Sequence, residues 1–193
     1  MAFVHHTTST NDYSPEDAAQ QVRNLYGWYV KGLRYSDMAY NFLVDRYGRL
    51  YEGRAGGMGQ AVVGGHTAGF NNDTFAVSAI GNFQKLNPPP EQIAVINQSV
   101  ASLLAWKLSL NHRNPNGTQV LTSDSASGTS KYQPGQQATA MVIGGHRDIG
   151  STACPGQFLE AQLPTIRSMA TSMMGATIYD PTASPTTWGT PVS

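Results

Sequence analysis

A chain of 193 residues with a single cysteine, Cys154, can form no intrachain disulfide, so its fold must be held by packing or by a metal. Packing has material enough. Hydrophobic residues make up 40% of the chain, one domain's worth of sequence, which argues against disorder or a fibrous fold. Twelve Lys and Arg balance twelve Asp and Glu, leaving no net field to draw in nucleic acid or an anionic membrane. Charged residues are only 12% of the chain, against about 25% in an ordinary domain, and Ser, Thr, Asn, Gln and Gly supply the polarity instead. No stretch approaches the roughly 18 apolar residues of a membrane span. The opening residues, MAFVHHTTST, lack the charged and apolar regions of an export signal. Because Met1 and Ala2 run straight into an apolar segment, the expectation is a start from which such a signal has been removed.

The residue pattern predicts a mixed α/β fold: a central sheet covered by helices in one domain. Ala2–His6 is a short apolar strand that turns polar at Thr7. Ser14-Pro15-Glu16-Asp17 followed by Val22, Leu25, Tyr26 and Tyr29 predicts a helix over about 15–30. Residues 40–45 and 50–52, flanking Tyr47-Gly48-Arg49, read as a hairpin, and residues 74–80 as a third strand. Pro88-Pro89-Pro90 opens a second helix with Ile93, Ile96, Val100, Leu103, Leu104 and Leu108 on one face. Residues 113–139, rich in Gly, Ser, Asn, Gln and Pro, read as a long surface loop with one short strand at Val120-Leu121. Met141–Ile143 is a further strand, and a last helix starts near Pro155 and restarts at Pro164. The domain is expected to end near residue 175, with 176–193 a Pro/Thr/Ser-rich tail or linker.

Histidines and the cysteine lie beside glycines at strand and loop ends, where side chains converge. His5, His66, His146 and Cys154 are the candidates, and a zinc hydrolase needs three such ligands with a fourth position for water. His5 and His6 point to opposite faces of their strand, so only one can enter a given site. Pro155 as first helical residue would put Cys154 at an N-cap, where the helix dipole favours a thiolate. The plainer alternatives are hydrogen-bonded, partly buried histidines and a cysteine that is a small buried hydrophobe.

Seven segments occur in one order: Phe3–Thr7, Asp37–Val44, Tyr51–Arg54, Gly65–Asn71, Ala79–Phe83, Gly145–Asp148 and Thr152–Gly156. Over about residues 2–170 they resemble the peptidoglycan recognition proteins and type 2 N-acetylmuramoyl-L-alanine amidases, including the phage lysozyme-type amidases. The resemblance implies a Zn2+ ion held by His5, His146 and Cys154, a catalytic tyrosine at Tyr40, and Thr152 at a position that is Lys or Thr in the family. It implies hydrolysis of the amide between N-acetylmuramic acid and L-alanine in peptidoglycan. Thr7, Arg54, His66 and Asn71 match positions that line the muropeptide groove. The implied setting is extracytoplasmic, secreted or wall-associated, for a monomer with no nucleic-acid or membrane-inserting partner. Residues 113–139 are an expansion similar to versions in actinobacterial members, and residues 55–65 lack the family's Gly-Trp or Asn-Phe pair.

Plainer roles stand beside these. Arg54 could pair with Glu52, Asn71 could serve its turn, His6 would support the face away from the site, and His112 would interact with the carbonyls ending its helix. A non-catalytic muropeptide-binding module is one competing function. A metal-free hydrolase with Cys154 as nucleophile and His146 as base is the other.

Overall fold

The computed structural model describes residues 1–175. The expected tail, 176–193, lies outside the described residues. Five strands form the main sheet: β1 (Ala2–His6), β2 (Phe42–Val44), β3 (Leu50–Glu52), β4 (Phe75–Ala79) and β7 (Ile143–Gly145), in the order β3-β2-β4-β1-β7. Every pairing is parallel except that of β2 with β3, the predicted hairpin. Two further strands, β5 (Thr118–Thr122) and β6 (Gln137–Met141), form a separate antiparallel pair.

Strand alternation decides which helices cover which face. On one face Phe42, Val44, Phe75, Val77 and Ala79 pack with α2 (Pro90–Ser109) and α5 (Leu163–Met174). On the other, Leu43 and Ala76 pack with Val22 and Leu25 of α1 (Ala18–Gly27) and with Tyr29, Met38 and Tyr40. The predicted spacing of α2 is the one observed, with Ile96, Val100, Leu103, Leu104 and Leu108 buried. Leu104 is fully buried at the centre of this layer. Leu104→Ala should cost about 3 kcal/mol through lost transfer energy and the cavity left behind. A urea titration reads this as a lower midpoint at unchanged slope.

Several boundaries differ from expectation. Residues 15–17 form a turn, with the Ser14 hydroxyl accepting the Asp17 amide proton at 3.2 Å, so α1 starts at Ala18. It then runs on as a π-helical turn over Trp28–Gly32. Within the expected 113–139 loop the short strand at Val120-Leu121 is present as part of β5, and it pairs with an unexpected β6, the buried Leu121, Ala138 and Ala140 of this hairpin joining the core while intervening residues face water. Residues 141–143 are not one strand but the junction of β6 with β7, in different sheets. The helix expected at Pro155 is a single turn, α4 (Gln157–Glu160), with Gly156 at its N-cap. Cys154 therefore precedes the helix by more than the N-cap position, and the dipole argument for its thiolate fails.

Candidate functional site

The C-terminal ends of parallel strands are where open α/β sheets gather side chains, and three segments meet there. His5 lies in β1 in register with Ser78 of β4, on the α1 face. His6, on the opposite face as expected, accepts the Phe83 amide proton at Nδ1, 3.1 Å away. Beyond β7 the chain enters the one-turn helix α3 (His146–Ile149), which puts His146 level with His5. The carboxylate of Asp148 accepts the Gly145 amide proton at 2.9 Å and fixes that turn. Two close approaches need glycine. A Cβ on Gly145 would collide with Glu160 Oε2, and one on Gly150 would lie 2.9 Å from His146 Nε2.

The loop after α3 brings Cys154 back beneath β1. Donor atoms of His5, His146 and Cys154 all lie within 4.8 Å of one another, and all three side chains are buried. Cys154 Sγ is 3.4 Å from His5 Nδ1 and accepts the His6 amide proton at 3.4 Å. The rings of His5 and His146 are 4.6 Å apart between centroids. Burial, reinforced by the neighbouring imidazoles, pushes His5 well below its ordinary range. Burial takes His146 down to about 4, so both rings are neutral and free to offer a lone pair. Burial also pushes the Cys154 thiol up to about 12, against the small opposing effect of the His6 amide. A cation shared by the three groups would reverse that, because metal binding displaces the thiol proton. Two neutral nitrogens and a sulfur this close fit the three-ligand set of a zinc hydrolase.

One ring nitrogen of each histidine meets a threonine. His5 Nε2 is 3.3 Å from Thr67 Oγ1, and His146 Nε2 is 3.2 Å from Thr129 Oγ1. Thr67 directly follows His66, but nothing in its position singled it out. Thr129 sits in the Ser/Gly-rich stretch of the β5–β6 hairpin, where no periodicity marks a functional residue. That stretch is laced to the ligand loop: Ser151 donates its amide to the Thr129 carbonyl at 2.7 Å, and Lys131 Nζ donates to the Arg147 carbonyl at 2.7 Å.

Tyr40 packs ring to ring with His5 at 5.2 Å and edge to face against Tyr29 at 5.8 Å. Burial first, then Tyr29 and Cys154, push its phenol well above the ordinary value, so it stays a protonated donor. Thr152 accepts the Cys154 amide proton at 3.1 Å, shaping the loop that carries the sulfur.

The four groove residues divide. His66 is buried and lines an open groove of about 480 Å³ with Tyr35, Asn71, Ser125 and Thr129. Asn71 reaches the groove, but its Oδ1 accepts the amide protons of His66 and Thr67, both at 2.8 Å. Thr7 accepts the Gly81 amide proton at 3.0 Å. Arg54 does not bond Glu52; it donates to the Met38 carbonyl at 2.9 Å and to Ser36 Oγ at 3.2 Å. All four are thus tied to the protein itself, but His66, held through Nδ1 by Thr67 Oγ1 at 2.9 Å, keeps a buried Nε2 with no partner.

The family description N-acetylmuramoyl-L-alanine amidase matches residues 1–157. Peptidoglycan-recognition protein SC2 of Drosophila simulans is 27% identical over 155 residues, 80% of this chain and 67% of that one. A complex of the ectodomains of PGRP-LCa and PGRP-LCx, described as bound to tracheal cytotoxin, superimposes with a TM-score of 0.58 at 25% identity. It covers 83% of this chain and 77% of its own. Human PGRP-IBETAC, described in complex with glycosamyl muramyl pentapeptide, gives 0.59 at 21% identity over 85% of this chain and 80% of its own. The matched residues take in β1 and the loop through Cys154, and on that ground the chain belongs to the N-acetylmuramoyl-L-alanine amidase family.

Proposed function

We propose that this chain is a zinc-dependent N-acetylmuramoyl-L-alanine amidase, acting outside the cytoplasm on the amide between the lactyl group of N-acetylmuramic acid and L-alanine. The observation that carries the reading is the buried cluster of His5, His146 and Cys154. Bound there, zinc supplies Lewis acidity, lowering the pKa of water toward neutrality and polarising a substrate carbonyl. The two neutral imidazoles and the Cys154 sulfur, once its proton is displaced, would hold the ion. Tyr40 offers its proton as a hydrogen bond to the oxygen that gains charge as the amide is attacked. Thr152 holds the loop on which Cys154 sits, with its own hydroxyl proton left to orient the same oxygen. The groove beside Tyr35, His66 and Thr129 takes the muropeptide.

The metal-free cysteine mechanism fares worse on the same geometry. A nucleophilic thiol needs a depressed pKa, and burial moves Cys154 the other way. His146, its would-be base, bonds a threonine hydroxyl at Nε2 instead of a carboxylate.

The test is mass spectrometry of purified sacculi incubated with the protein, before and after chelation and zinc add-back. Release of intact stem peptides with free L-alanine amino termini, lost on chelation and restored by zinc, is the expected result. Binding without cleavage would replace the reading with recognition alone, the role named for the relatives. Cleavage that survives chelation would move the case to the cysteine.

The hairpin contact yields a separate expectation. Thr129→Val removes the hydroxyl partner of His146 Nε2, and loss of such a partner typically weakens metal affinity 10- to 100-fold. Thr129 is exposed, so the lower end, about tenfold, is expected. Competition with a chromophoric chelator measures it, and unchanged affinity would remove Thr129 from the metal's support.

A further inference from the structure

Thr67 is fully buried, and its one hydroxyl stands between two rings, 3.3 Å from His5 Nε2 and 2.9 Å from His66 Nδ1. A hydroxyl has one proton and two acceptor sites, and Thr67 Oγ1 meets only these two nitrogens, so pairing its buried proton requires that it donate to one of them and accept from the other. The direction of the first bond therefore sets the direction of the second. The other nitrogen of His5, Nδ1, faces Cys154 Sγ at 3.4 Å. It is the atom a cation shared with the sulfur would take.

We propose that Thr67 is a positioning residue that transmits the metal state of His5 to His66, holding His66 as its Nε2–H tautomer so that it meets the muropeptide as a hydrogen-bond donor. The coupling rests on the metal reading above. With a cation on Nδ1, the only ring proton of His5 is on Nε2 and is donated to Thr67 Oγ1. The hydroxyl proton then goes to His66 Nδ1. A buried imidazole with no carboxylate beside it stays neutral, so the one proton of His66 must sit on Nε2. That atom is buried and has no partner in the protein. A buried donor left unpaired costs about 1–3 kcal/mol, and His66 lines the groove. Its complement is an acceptor oxygen, such as an amide or acetyl carbonyl, from the molecule that enters. Without the cation, His5 Nδ1 and the thiol can share a proton either way round. The chain then runs in either direction and His66 populates both tautomers.

Long-range 1H–15N correlation of the histidine rings in the full-length 15N-labelled protein tests this with zinc alone as the first probe. One equivalent of zinc should convert His66 to a single Nε2–H form, and a muramyl pentapeptide added next should shift that proton. Thr67→Ser should behave like the wild type. Thr67→Val should still bind zinc, seen as shifts at His5 and His146, while its His66 tautomers ignore the metal. His66 as the Nδ1–H form in the zinc-loaded wild type overturns the coupling, a result readable even if the valine variant does not fold. A tautomer that still follows zinc in Thr67→Val overturns it too. An Nε2 proton unmoved by the pentapeptide removes the donor role. No zinc shift at His5 or His146 in the wild type overturns the metal reading, and the coupling with it, and is distinct from every other result.

Discussion

Cys154→Ser is expected to keep binding sacculi, weakened only by the mixed His66 tautomers that loss of zinc allows, and to release no stem peptide. Sulfur and oxygen differ little in size here, so the buried site should keep its shape. Their acidity differs greatly, and a serine hydroxyl does not ionise to complete a zinc site at neutral pH. Zinc content should fall from one equivalent toward none. Release of peptides should drop by at least about 10³-fold, in line with removal of a group on which the whole reaction depends. Binding should persist because the groove is built from Tyr35, His66, Asn71 and the 125–129 loop, whereas the sulfur's hydrogen bonds go to His5 and His6. The readouts are metal analysis, a sacculus pull-down and the peptide assay together. Turnover equal to wild type would sink the amidase mechanism given above. Lost binding alongside lost turnover would show instead that the site organises the groove.

The variant also separates what was legible in the sequence from what was not. Position at strand and loop ends marked His5, His66, His146 and Cys154 as candidates; only the family resemblance separated His5, His146 and Cys154 as a ligand set, and those three are the ones whose donor atoms cluster. The sheet and its main helices were legible for a similar reason. Short continuous apolar runs such as Phe42–Val44 and the 3.6-period face of Ile96 to Leu108 mark their own burial. The hairpin of residues 118–141 was not legible. Alternation in Thr118–Thr122 buries only Leu121 strongly, and the Ser/Gly-rich residues between the strands mimic a plain loop. Thr67 and Thr129 act through hydroxyls that reach across from other parts of the fold, at 62 and 17 residues' separation from His5 and His146. No local pattern encodes such contacts. Arg54 and Asn71 show why residue type alone leaves a role open. Their types suit substrate recognition, yet backbone groups within the fold already use them.

Tyr40→Phe should lower kcat by about 10²- to 10³-fold, the usual cost of deleting one preorganised donor to a developing oxyanion, while leaving KM nearly unchanged. The ring is what the fold uses: it packs at 5.2 Å against His5 and at 5.8 Å, edge to face, against Tyr29. Phenylalanine keeps both contacts, so folding and zinc content should be those of the wild type. What disappears is a hydroxyl that burial holds in its protonated, donating form. If that hydroxyl bonds the carbonyl oxygen only as charge builds on it, the loss falls on kcat and on kcat/KM equally. A raised KM with unchanged kcat would make Tyr40 a ground-state contact in the groove. An unchanged kcat/KM would leave His5 and Tyr29 as its only business and pass the oxyanion to Thr152, whose valine variant would then carry the loss.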